Sequence, residues 1–205
     1  GNGYLKAFGL QYNNNVVINP TTIDTDNLHN RITDYTYTSL NIGWTGTHST
    51  LKYVKPLLPV LDSLYKKYKF KLTIISDCHP GFEREYLNYV PWRKNTEIDD
   101  LLTINVGIMP LTDDKWAWGK CGFKALQYMS LGIPAIVSPV GVNTDIVEHD
   151  TNGWVCKNSK DWEQQLEIIL KDLSVAKTMG VMARQKIVES YSVQSNTDNF
   201  LKLFQ

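Results

Sequence analysis

Lys120 and Lys124 lie in the run Gly119-Lys120-Cys121-Gly122-Phe123-Lys124-Ala125-Leu126-Gln127-Tyr128-Met129, where a glycine-containing entry leads into a segment of helical pattern. A helix N-terminus carries about half a positive charge on its unpaired N–H groups, and each lysine adds a whole one, a combination suited to a diphosphate. Standing alone, the segment fits a surface helix with solvated lysines better. A second run, Gly43-Trp44-Thr45-Gly46-Thr47-His48-Ser49-Thr50, reads as a strand passing into a polar turn that opens a helix. Gly46 would let the backbone approach a phosphate, Thr47 and Ser49 would offer hydroxyl donors, and Lys52 would add a cation one turn on. An ordinary strand-to-helix turn with a cap explains this run as well.

Other residue types that do chemistry read as structural. His48 in the first turn could touch phosphate or sugar, but a single loop histidine more often has a structural or solvated role. The pairs Asp113-Asp114 and Asp99-Asp100 have the look of acid–base carboxylates, yet acids in loops and at helix starts usually cap or face water. Trp116 and Trp118 fit a wall of a sugar site or packing beneath the second loop. Cys78, Cys121 and Cys156 are the three cysteines; odd in number and scattered, they suit neither a disulfide framework nor a zinc site and read as small buried or half-buried thiols.

The elements that must hold these groups follow from periodicity. From Leu40 onward, aliphatic runs at Leu40–Thr45, Phe70–Ser76, Tyr86–Val90, Ile104–Met109, Pro134–Ser138 and Gly153–Cys156 alternate with segments of helical period. Six such runs, most of them apolar enough to be covered on both faces, predict a mostly parallel sheet. Leu51, Val54, Leu58, Leu61 and Tyr65 share one helical face that Pro56 and Pro59 must kink or delay. Thr96 with Asp99 resembles a capping box opening a short helix. Trp162, Leu166 and Ile169 form one amphipathic stripe, and Ala176, Met179, Ala183 and Ile187 another; both read as core.

Residues 1–39 differ. Asn13-Asn14-Asn15, Asn19-Pro20-Thr21-Thr22 and the Asp24–Asn30 stretch are turn and loop chemistry around one strand-like run, Val16-Val17-Ile18. Such a segment reads as the tail of another domain and the linker leaving it. Residues 40–205 then form one domain, a size within the usual range. With 21 basic and 21 acidic residues the net charge is zero, so no overall field favours nucleic acid or an anionic membrane. No apolar stretch approaches the roughly 20 residues that cross a bilayer, and the first residues lack a signal-peptide pattern, so the chain reads as soluble and cytoplasmic.

Taken in order, Trp44-Thr45-Gly46, Val90-Pro91-Trp92, Gly107-Ile108-Met109-Pro110-Leu111, Gly119–Met129, Ser138-Pro139-Val140-Gly141-Val142-Asn143 and Asn152-Gly153 resemble the succession found in group 1, glycogen-synthase-like glycosyltransferases of the GT-B class. The resemblance covers residues 40–205, and residues 4–22 look like the end of that family's N-terminal domain and its crossover. It implies a Rossmann-like α/β fold with helices on both faces of the sheet, the nucleotide-sugar-binding C-terminal half of a GT-B enzyme. It further implies a hexosyltransferase-type, retaining transfer from a nucleoside-diphosphate sugar, without a bound metal or other cofactor. The acceptor would be held by the N-terminal domain, so the chain alone would bind nucleotide without turning over.

In that reading Lys124 and Lys120 act on the leaving diphosphate. Gly46, Thr47, Lys52, Cys121, Gly122 and Phe123 bind the donor, and the stretch near Trp92 lines the base pocket. The chain departs from the family at two positions. Two glutamates separated by seven intervening residues, one near the donor sugar and one on the ribose hydroxyls, are replaced by Gly119 and Gln127. Gln127 can still accept a hydrogen bond from a ribose hydroxyl, without charge assistance. Two alternatives share the same pocket: a GT-B nucleotide-sugar epimerase, and a non-catalytic relic that only binds nucleotide.

Overall fold

The computed structural model describes residues 1–36 and 39–204; Tyr37 and Thr38, inside the expected linker, and Gln205 lie outside the described residues. In chain order the elements are α1 (Gly3–Gly9), β1 (Asn41–Gly46), 3-10 turns at His48–Tyr53 and Lys55–Leu57, α2 (Leu58–Lys67), β2 (Lys71–Ser76), β3 (Leu87–Pro91), α3 (Glu97–Leu102), β4 (Val106–Met109), α4 (Lys115–Trp118), α5 (Phe123–Ser130), β5 (Ala135–Val137), α6 (Asn143–Ile146), β6 (Gly153–Val155), α7 (Ser159–Lys171), α8 (Ser174–Ser190) and α9 (Thr197–Leu201). Each of the six expected strands is present; β1 and β3 are shifted one residue toward the C-terminus and the other four are trimmed.

The strands form one sheet in the order β3-β2-β1-β4-β5-β6, with every pairing parallel. Alternate side chains enter opposite faces, as the two-residue period of a strand requires. Leu72, Ile74, Val106, Ile108 and Ile136 join one core with Leu61 and Leu64 of α2 and Trp162, Leu166 and Ile169 of α7. Ile75, Met109, Ala135 and Val137 join the other with Leu101 of α3, Leu126 and Met129 of α5 and Ala183 and Ile187 of α8. The fold is therefore Rossmann-like, with helices on both faces. β2 lies on one side of β1 and β4 on the other, so the chain reverses its direction of travel across the sheet between β1 and β4.

The prolines act as expected. Pro56 falls in a 3-10 turn and Pro59 in the first turn of α2, where its missing N–H costs nothing, so the α-helix begins only at Leu58. Two local expectations are corrected. Thr96 precedes α3 but forms no capping box: with φ −116° and ψ −2° it lacks the extended geometry of a cap, and its hydroxyl donates to Asp100 Oδ2 at 2.8 Å. Val16–Ile18 forms no strand, and Val17 and Ile18 are exposed.

Within residues 1–36 there is more order than turn chemistry predicts. Asn2 Oδ1 accepts from Leu5 N at 2.9 Å and caps α1, which buries none of its side chains. Farther on, Ile23, Thr25, His29 and Thr33 are buried. Ile23 bridges to Ser192, and Arg184 of α8 donates to the carbonyls of Thr25, His29 and Ser130. Residues 23–33 are thereby stitched onto α8 and the end of α5.

Candidate functional site

Where an open parallel sheet reverses its winding, flanking loops separate and leave a crevice at the carboxyl ends of the strands. Such a crevice is present here, a cleft of about 590 Å³ bounded by the ends of β1 (Thr45, Gly46) and β4 (Met109). Gly46, Thr47, Trp92, Lys120, Cys121, Gly122, Phe123, Lys124 and Gln127, nine of the ten residues singled out in the sequence, line it together. Lys52 does not. The segment after β1 is a 3-10 turn rather than an α-helix, and Lys52 is exposed, its Nζ 5.1 Å from the Tyr53 ring and its charge acting on Asp114.

One end of the cleft is cationic. Gly122 opens α5 with φ 72° and ψ 15°, and a Cβ there would lie 2.3 Å from Ile146 Cδ1. Both conditions demand glycine. No side chain caps α5, in contrast to Asn158 on α7 and Asp114 on α4. Its first-turn amides therefore remain donors at the cleft. Lys124 runs beneath the β1 loop, its Nζ 5.4 Å from the Trp44 ring centroid. A Cβ on Gly46 would lie 2.9 Å from Lys124 Cε and 2.6 Å from Trp44 Cη2, so glycine there makes room for the lysine. Burial, with the Lys120 ammonium nearby, pulls Lys124 down to about 8. Lys120 lies over Tyr53 and Trp116, at 5.7 and 5.8 Å from their ring centroids.

Two carboxylates line the same cleft, and sequence reasoning singled out neither. Asp77, just past β2, receives His48 N at 2.6 Å and faces His48 Nδ1 at 2.7 Å. That pairing holds its carboxyl below the usual range and occupies an amide of the β1 loop. Glu97, opening α3, accepts from Trp92 Nε1 at 3.0 Å and from Gln127 Nε2 at 3.1 Å, both on Oε1. Gln127 is buried and Trp92 is 44% exposed. The amide of Gln127 thus serves a neighbouring acid.

The remaining candidates lie in structural contacts. Asp114 caps α4, accepting from Ala117 N, while Asp113 receives Trp118 Nε1. Asp99 pairs with Arg31, and Asp100 receives Thr96. Trp118 packs edge-on against Tyr4, whereas Trp116 is exposed. The three cysteines are free; Cys78 is exposed, which corrects the expectation of burial for that thiol, Cys121 is half-buried, and burial pushes the Cys156 thiol up to about 12. Among the described residues no group of three His, Cys, Asp or Glu side chains is placed to hold a metal, and no helix is long and apolar enough to cross a membrane.

A family model for group 1 glycosyl transferases matches residues 39–172. No curated protein matches the chain in sequence. Among solved structures, the chain is similar to a glycosyltransferase from Rickettsia africae ESF-5 (TM-score 0.78, 14% identity, covering 99% of this chain and 61% of that one). It is also similar to sucrose-phosphate synthase from Thermosynechococcus elongatus (TM-score 0.73, 12% identity, 99% and 56%). A third similar structure is Anabaena Alr3699/HepE in complex with UDP and glucose (TM-score 0.66, 12% identity, 81% and 48%). The chain spans less than two thirds of each of these proteins, and at these identities the likeness is one of fold.

Proposed function

The chain belongs to the group 1 glycosyl transferases, and from that premise we propose that it is the donor-binding half of a two-domain enzyme that transfers a hexose from a nucleoside diphosphate with retention of configuration. The observation that carries the reading is the uncapped start of α5 with Lys124 and Lys120 in a cleft that Trp92 also lines. A diphosphate against the α5 start and a base against Trp92 suit that lining. HepE, solved with UDP, supports the same use of the fold.

When the bond between the sugar and the diphosphate breaks, negative charge grows on the leaving phosphate oxygens. Donors fixed beforehand at that point favour the transition state over the ground state. Here these are the α5 amides, Lys124 and Lys120, in place of a metal ion, with Gly46, Thr47, Cys121, Gly122 and Phe123 shaping the wall. The acceptor sits on a preceding domain. The apolar side chains that α1 and the segment after it leave exposed, Tyr4, Leu5, Phe8, Leu10 and Tyr12, suit contact with such a domain. The exposed free thiol of Cys78 suits a reducing, cytoplasmic setting. Alone, the chain binds nucleotide without turning over; sugar transfer by these residues by themselves would contradict that point.

A second reading, a fold that binds nucleotide without transfer, is favoured by Gly119, which lines the cleft and offers no side chain to a sugar. A Cβ at Gly119 would meet nothing closer than 3.6 Å, so packing does not impose the glycine. Product analysis with the complete enzyme separates the two readings.

The shared premise is tested by thermal melting with UDP, GDP and ADP. Nucleotide at about 100 times its dissociation constant stabilises a fold by roughly 2.7 kcal/mol. For a domain of this size that is a rise of about 5–10 °C. One of the three nucleotides should produce it; no shift with any of them would overturn the donor-domain reading.

A further inference from the structure

We propose that Glu97 is the residue that recognises the ribose of the bound nucleotide, through its 2′- and 3′-hydroxyls, and that Gln127 is the residue that positions it. This rests on the donor-cleft reading above. Three residues that line the cleft form one hydrogen-bonded cluster: Trp92 Nε1 and Gln127 Nε2 both donate to Glu97 Oε1, at 3.0 and 3.1 Å. Oε2 accepts no hydrogen bond from any described residue, although Glu97 lines the cleft. The other acid there, Asp77, has both oxygens engaged by His48.

The place is right for a ribose. Gln127 stands one helical turn into α5 from Phe123, about 6 Å along the axis from the amides that would hold the diphosphate. Trp92 meets the same Glu97 oxygen that Gln127 does. A nucleotide running from the α5 N-terminus to Trp92 therefore carries its ribose across Gln127 and Glu97. The chemistry is right too. An ionised carboxylate only accepts, and a vicinal diol offers two donors to it; an acid on the ribose hydroxyls is how other Rossmann-type sites recognise a nucleoside. The buried amide of Gln127 spends its N–H on Glu97, fixing the carboxylate before ligand arrives.

The test uses this chain and calorimetric titration with UDP, GDP and ADP, each beside its 2′-deoxy counterpart. Wild type should favour the ribonucleotide by about tenfold or more, since a site built around a hydroxyl rejects the analogue lacking it. The near-isosteric Glu97→Gln should reduce that preference to about twofold or less. Lys124→Ala should weaken both forms equally and keep the preference. A role of Glu97 confined to holding Trp92 would lower both affinities in Glu97→Gln and leave the ratio untouched, which would overturn the assignment. Equal affinity of wild type for ribo and deoxy forms would overturn it as well. Failure of wild type to bind any of the six nucleotides is a different result: it removes the donor-cleft reading and this inference with it.

Discussion

Lys124 is half-buried beneath Gly46 and beside Trp44, with a second ammonium nearby, and these surroundings bring its proton within reach of ordinary buffers, at about 8. Only the charged form is a partner for phosphate, so a bound diphosphate pulls the proton back on. The sign follows. Affinity for a nucleoside diphosphate is full below pH 8 and falls as pH rises through that value, by about tenfold between pH 7 and 9 if only the ammonium binds. Titrations at the two pH values check it, with Lys124→Arg as the comparison, because an arginine stays charged throughout and should remove the pH dependence. An unchanged affinity in wild type would contradict the role given to Lys124. This lysine, with Lys120 and Gly122, is legible in the sequence because all three fall in one run at the start of a helical pattern. Glu97 is not. It comes from another helix, and in the sequence it is one more acid near a helix start; only the fold brings it to Gln127. Lys52 is misread for a related reason: placing it one turn on assumes an α-helix where the prolines leave a 3-10 turn.

At the scale of elements, the same helix α5 that offers its amides to the cleft is held by a tight junction. Gly122 has φ 72°, and Ile146 of α6 fills the space where a side chain would project. Gly122→Ala therefore combines a left-handed backbone without glycine, about 1–2 kcal/mol, with overpacking of about 1–3 kcal/mol. Denaturant unfolding should show a loss of about 2–5 kcal/mol. Ile146→Ala removes core packing of its own, so the steric part is read as coupling: Gly122→Ala should cost less in the Ile146→Ala background than in wild type, and an equal cost would place it entirely in the backbone. The six strands and the helices α2, α5, α7 and α8 are legible because aliphatic runs and amphipathic stripes repeat over several turns. The short helices α1, α4 and α6 are not. Helices this short carry too little periodicity; α3, of six residues, is anticipated only from the start signal at Thr96 and Asp99, and α1 depends on one cap, Asn2, whose amide also donates to the carbonyls of Trp118 and Lys120. The linker reading of residues 1–39 likewise rests on composition, which is blind to the contacts of Arg184 with Thr25 and His29.

At the scale of the whole molecule, a neutral chain with a two-core parallel sheet places its cleft where the winding reverses, and the family supplies the reaction class. Outside the sheet, apolar side chains stand exposed on α1 and at Phe200, Leu201 and Phe204. The proposed seat for a nucleoside diphosphate in the cleft depends on contacts that no single residue type could announce. The most direct measurement is a crystal structure of this chain grown with whichever of UDP, GDP or ADP raises its melting temperature. The account predicts the diphosphate against the first turn of α5 and Lys124, the ribose at Glu97, and the base at Trp92. A nucleotide bound elsewhere, or lying in the cleft with its phosphates away from α5, would contradict it.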